Sequence, residues 1–65
     1  MKHLTIREME IITYTANGHT AKEIARIIGL EPRTVEIYVA SIRRKLVARN
    51  TTHAVFIATQ KALLK

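Results

Sequence analysis

The stretch from Thr20 to Leu46, TAKEIARIIGLEPRTVEIYVASIRRKL, constrains the fold of this 65-residue chain more than any other. It holds two apolar patterns at helical spacing on either side of Gly29-Leu30-Glu31-Pro32. Ala21, Ile24, Ala25 and Ile28 form the first stripe; Val35, Val39, Ile42 and Leu46 form the second. Ala25 is small enough to let two helices approach closely. Gly29 supplies the positive φ that a helix C-terminus prefers, with Leu30 placed to plug the turn. Pro32 suits the first position of the next helix, and Val35 returns an apolar side chain to a shared core. The second helix carries most of the positive charge. This is the layout of a helix-turn-helix, in which one helix braces and the next lies in the major groove of DNA.

Start signals place two further helices around this pair. Thr5 and Glu8 make a capping box for a first helix, whose inward face is expected to be Ile11, Ile12, Thr15 and Ala16. Asn17-Gly18 ends it. Thr20 and Glu23 repeat the box for the second helix. The third helix turns Arg33, Glu36, Ile37, Ala40, Ser41 and Arg44 outward. Exposed Ile37 and Ala40 beside charges suit thymine methyls and base edges, although single exposed apolar residues are also ordinary on protein surfaces. After a short basic connection, Val47 to Asn50, Thr51 or Thr52 caps a fourth helix running from about His53 to Leu63. Around Val55, Phe56, Ile57, Thr59 and Leu63 it carries more apolar surface than one thin helix need bury, which points to a second copy of the chain.

Composition narrows the chemistry. A chain this short is one domain and buries only about 60% of its unfolded surface. It has no cysteine, so neither disulfides nor thiolate-metal sites staple it; this fits a reducing cytosol. Net charge is +6, and all five acids lie in the first 36 residues. From Ile37 onward only bases occur: Arg43, Arg44, Lys45, Arg49, Lys61 and Lys65. Charge alone fits a soluble basic protein as well as a polyanion binder; joined to the helix-turn-helix spacing it favours nucleic acid. His3, His19 and His53 are scattered surface residues without metal-ligand spacing. There is no Asp, no facing carboxylate pair and no strand to support a phosphate-binding loop. No enzyme activity, cofactor or metal is expected. The longest purely apolar run, Ala54 to Ala58, is too short to span a membrane.

Leu4-Thr5, Arg7-Glu8, Glu10, Gly18, Lys22-Glu23-Ile24-Ala25, Thr34-Val35-Glu36, Ile42, Lys45-Leu46 and Ala54-Val55 together resemble the LuxR-type (GerE-like) domain of bacterial transcription regulators. The resemblance covers essentially the entire chain. The run Ala48 to Val55 looks more like the quorum-sensing branch than the response-regulator branch. The resemblance implies an all-α, four-helix domain over residues 1–65, whose third helix reads DNA and whose fourth helix forms a two-fold dimer. Carried onto this sequence, Glu36, Ile37 and Ala40 hold base-reading positions. Thr20, Lys22, Arg33, Thr34, Tyr38, Ser41, Arg44 and Lys45 hold phosphate positions, and Val55, Phe56, Thr59 and Leu63 the dimer interface. The partners implied are double-stranded DNA, a second copy of the chain and RNA polymerase; the location is cytoplasmic.

Three departures from the family pattern matter. Glu36 stands where Lys or Arg is common, and it reads either as an acceptor for cytosine N4 or as an acid serving the helix dipole. Tyr38 stands where His is common. Val47 stands where Gly is common, and a β-branched residue disfavours positive φ. Family members usually carry an N-terminal sensor domain, so these residues read as an excised domain or a short regulator. The alternative function is an interaction module that heterodimerises with a longer LuxR-type regulator and inhibits it. Binding of a basic helix to a membrane surface is a weaker third reading, because the apolar face of helix three is needed for the core.

Overall fold

The computed structural model describes residues 3–61. Among them are four α-helices and no strand: α1 (Ile6–Ala16), α2 (Ala21–Ile28), α3 (Pro32–Lys45) and α4 (Thr51–Gln60). The first two start as their sequences dictate. Thr5 and Thr20 each accept from the backbone N–H three residues on, and Glu8 and Glu23 reach back to the cap N–H. Gly29 closes α2 at φ 76, ψ 35, and the Gly29 and Leu30 N–H groups both donate to the Ala25 carbonyl. That left-handed residue turns the chain into Pro32, the first residue of α3.

The most extensive packing is α2 against α3. Ile24 and Ala25 of α2 and Val35 and Ile42 of α3 are at most 2% exposed. Leu4, just before α1, and Ile11 and Ile12 within it close the core on one side, and Ala54 and Ala58 close it from α4. The small side chains of α4 let its backbone come close to α1 and α3. Val39, Ile28 and Leu30 pack half-buried at the edge of the core.

Several details differ from expectation. Ala16 is exposed and Thr15 only half-buried, because the inward stripe of α1 runs through Glu8, Ile11 and Ile12 instead, continuing Leu4 before the helix. Asn50, not Thr51 or Thr52, caps α4: its extended backbone and short side chain let Oδ1 accept from His53 N–H at 2.8 Å. The described part of α4 ends at Gln60, with Lys61 already out of helical geometry; Leu63 lies outside the described residues. Two histidines are half-buried rather than free on the surface. His19 packs edge-on against Tyr14 at 5.2 Å and donates from Nδ1 to the Tyr14 carbonyl. His53 Nδ1 accepts the Arg49 N–H at 3.0 Å.

The one buried charged residue among those described is Glu8, 3% exposed. Its capping bond to Thr5 N–H (2.8 Å) uses Oε1, which also accepts from Lys45 Nζ at 2.8 Å; Oε2 accepts from Ser41 Oγ at 2.9 Å. One carboxylate therefore ties the start of α1 to the end of α3. Burial pushes its pKa up, but the bonds from Lys45, Thr5 and Ser41, with the Lys45 charge, outweigh burial and hold it at about 2, against 4.5 ordinarily. Such a shift corresponds to on the order of 3 kcal/mol of stability. Because the folded-state pKa is depressed, that stability is present above pH 4.5 and is lost as pH falls towards 2. Acid unfolding of the wild-type chain, followed by urea midpoints, is expected to steepen in this window. Glu8→Gln should flatten it and lower stability at pH 7, since Lys45 then lacks its counter-charge. An equal acid loss in both proteins would contradict the assignment.

Val47 is the second local feature with an energetic consequence. After Leu46 ends α3, Val47 takes φ 54. The turn lets Val47 and Ala48 N–H groups close the helix on the Arg44 and Arg43 carbonyls at 3.2 and 2.8 Å. A β-branched residue in this region is strained by roughly 1–3 kcal/mol, and Val47, 85% exposed, has little packing to offset it. Val47→Gly should raise stability by about 1 kcal/mol, net of glycine's greater unfolded-state freedom. In a domain this small that is roughly 4–8 °C in thermal midpoint. An unchanged or lower midpoint would show that the turn is not strained.

Candidate nucleic-acid interface

Helix α3 presents three stripes with different duties. Val35, Val39, Ile42 and Leu46 face the core. Arg33, Ile37, Ala40 and Arg44 form the opposite stripe, which spans roughly 17 Å at 1.5 Å per residue. Arg33 and Arg44 are exposed at its ends; Ile37, 61% exposed, and half-buried Ala40 lie between them. Glu36 sits exposed beside this stripe and takes part in neither ion pair of the described residues. It also lines a cleft of about 370 Å³ shared with α1, α2 and Arg43. The stripe thus offers an apolar centre between cations, with one acid at its side.

The third stripe is Thr34, Tyr38, Ser41 and Lys45. Thr34 is half-buried and Tyr38 packs its ring against the core. The C-terminal half of the stripe faces α1, where Ser41 and Lys45 meet Glu8. Ser41, expected on the outward face, is therefore half-buried, and its single hydroxyl proton is committed to a carboxylate. Lys45 differs. Its side chain is 24% exposed and an ammonium has three donors, so Glu8 does not exhaust it.

At the start of α2, Thr20 and Lys22 are exposed. Thr20 Oγ1 accepts from Glu23 N–H at 3.2 Å. The Thr20 N–H bond lowers the pKa of Glu23, keeping its carboxylate charged and engaged at the cap. Lys22 stands clear of that pair as a free cation on the helix-turn-helix. On α4, Phe56 is 58% exposed and Thr59 is exposed, while Val55 is half-buried and packs partly against the core. Leu63 lies outside the described residues. The expected interface residues are thus divided between a free face and the core edge.

Sequence reasoning missed the link from Glu8 to Ser41 and Lys45. The capping box explains Glu8 completely at the local level, and the same oxygen that caps also binds Lys45, 37 positions away. It also missed Arg43, which lines both the cleft beside Glu36 and a larger one at the end of α3. Its place four residues after Val39 and three before Leu46 was a signal that its stem is partly covered.

Comparisons with known proteins agree with this geometry. The family model described as bacterial regulatory proteins, luxR family, matches residues 2–58. The transcriptional activator protein BjaR1 of Bradyrhizobium diazoefficiens is 41% identical over 61 residues, which are 94% of this chain and 25% of that protein. The HTH-type quorum sensing-dependent transcriptional regulator RpaR of Rhodopseudomonas palustris is 42% identical over 62 residues, 95% of this chain and 26% of that protein. The chain therefore spans about a quarter of the length of these relatives. The solved structure of VqmA bound to DPO superposes with a TM-score of 0.86 at 32% identity, covering 92% of this chain and 30% of that one. Taken with the paired capping boxes, the Gly29 turn and the basic α3, these matches establish that the chain belongs to the luxR family of bacterial regulatory proteins, as a helix-turn-helix DNA-binding domain of that family.

Proposed function

We propose that this domain binds a two-fold duplex site with α3 in the major groove and a second copy of the chain docked through α4. The observation that carries the reading is the stripe from Arg33 to Arg44: a partly apolar, exposed helix face with a guanidinium at each end. Ile37 and Ala40 suit methyl and base-edge contacts, and Arg33 and Arg44 suit the phosphates that flank a groove. Thr20, Lys22, Thr34, Tyr38 and Lys45 complete the phosphate set; Ser41 acts through Glu8. Regulation of transcription, by contact with RNA polymerase, belongs to the same proposal. The run Ala48 to Val55 and the naming of RpaR as quorum sensing-dependent support the quorum-sensing branch.

Glu36 has the sharpest role. An acid without an ion-pair partner on a basic face is repelled by phosphates, so it is retained in the groove by accepting from a base amino group. Selection from a random duplex pool should enrich a palindromic motif. With that motif, Glu36→Gln should change preference at one position in each half-site, at about 1–3 kcal/mol of discrimination. Non-specific affinity should rise slightly. Coincident base-by-base profiles for the two proteins would reduce Glu36 to an acid serving the helix dipole, and absence of any enriched motif would remove sequence-specific reading altogether.

Phe56 and Thr59, with Val55 beside them, make the exposed side of α4, opposite Ala54 and Ala58. Sedimentation equilibrium at rising concentration should show self-association. Phe56→Glu should weaken it at least tenfold without lowering the thermal midpoint of the monomer, because Phe56 contributes little to the core. Association that survives the change would place the interface elsewhere. Pairing only with a longer relative, without enrichment of DNA, would favour the inhibitory module.

A further inference from the structure

A cleft of about 570 Å³ opens at the corner where α3 passes into α4. Ala40, Arg43, Arg44, Val47, Ala48 and Arg49 line it, so three arginines and no acidic residue border one space. No acidic residue follows Glu36 in the sequence, and none lines this corner among the described residues. Arginine's planar fork matches phosphate oxygens, and three like charges bordering one open cleft favour the entry of an anion. The Arg43 Nε is buried and has no hydrogen-bond partner among the described residues. A buried N–H left unmet is unfavourable, and an acceptor arriving from outside would relieve it after a small rotation of the guanidinium. The cleft is also continuous with the groove-facing stripe, because Ala40 and Arg44 belong to both.

We propose that this cleft receives a backbone phosphate of the bound duplex, held by Arg43 and Arg49. The contact surface then runs past the end of α3 onto the α3–α4 connection, and two residues outside the expected phosphate set join it. The proposal rests on the reading of α3 as the groove helix. Free inorganic phosphate offers the same chemistry, and the experiment separates the two sources.

Binding of the intact chain to its selected duplex would be measured by fluorescence anisotropy between 50 and 200 mM salt, for wild type, Arg49→Ala, Arg43→Gln and Lys22→Ala. Arg49 is exposed, so Arg49→Ala should fold normally. Loss of one phosphate contact should weaken binding about fivefold at 0.15 M salt and lower the log–log salt slope by about 0.9, with the preferred sequence unchanged. Neutral methylphosphonates placed singly in the duplex should reveal one phosphate per half-site whose replacement weakens wild type but not Arg49→Ala, distinct from the phosphate that depends on Lys22. If Lys22→Ala weakens binding while Arg49→Ala and Arg43→Gln match wild type, this proposal fails and the groove reading stands. If wild type binds no duplex, both fail. Saturable binding of inorganic phosphate that Arg49→Ala abolishes, with duplex affinity unaltered, would overturn the duplex as the source. Should Arg43→Gln not fold, Arg49→Ala decides.

Discussion

The placement of α3 depends on a carboxylate that is almost out of water. Glu8 joins the first turn of α1 to the last turn of α3 through Lys45 and Ser41, while apolar packing against α2 secures the middle of the same helix. A helix held only by a core of Ile and Val side chains has freedom to slide or roll, since apolar contact is not directional. Two short polar bonds at one end remove that freedom. Removing either partner would leave a buried charge or donor unmet, so the arrangement acts on orientation as much as on stability.

The same bonds divide the positive charge of α3 by task. Lys45 neutralises Glu8, and Ser41 is drawn inward with it. Arg33 and Arg44 remain at the surface as the cations of the outward stripe, with Lys22 contributed from α2. The Lys45–Glu8 pair is neutral, so it leaves the net charge of +6 unchanged and alters only where that charge lies. The cations outside the two ion pairs of the described residues include both ends of one stripe, the start of α2, and the arginine-lined corner beyond α3.

How much of this was legible in the sequence depended on the range of each interaction. Thr5-Glu8, Thr20-Glu23, Gly29 and Pro32 act within four residues, and the boundaries they imply agree with the structure. The core stripes of α2 and α3 were also readable, because a 3.6-residue period leaves few choices for which side faces in. Asn50 does not stand out in the sequence, because two threonines follow it and cap almost as well; extended backbone at Asn50 decides between them. For the candidate site, the outward stripe followed from the same periodicity, but the inward turn of Ser41 did not, since it requires Glu8 from a different helix. The left-handed Val47 was anticipated as a misfit, and the chain adopts the conformation regardless, because two carbonyls at the end of α3 gain partners by it.

That misfit has an evolutionary side. Changes at Glu36, Ile37 or Ala40 would alter what the exposed face can touch, and most changes lower stability in a domain with little to lose. Val47 is a position where several simple replacements would relax the backbone without disturbing the core. A lineage exploring new surfaces on α3 can therefore recover lost stability at the corner that follows it. The strained turn gives this small domain room to diverge.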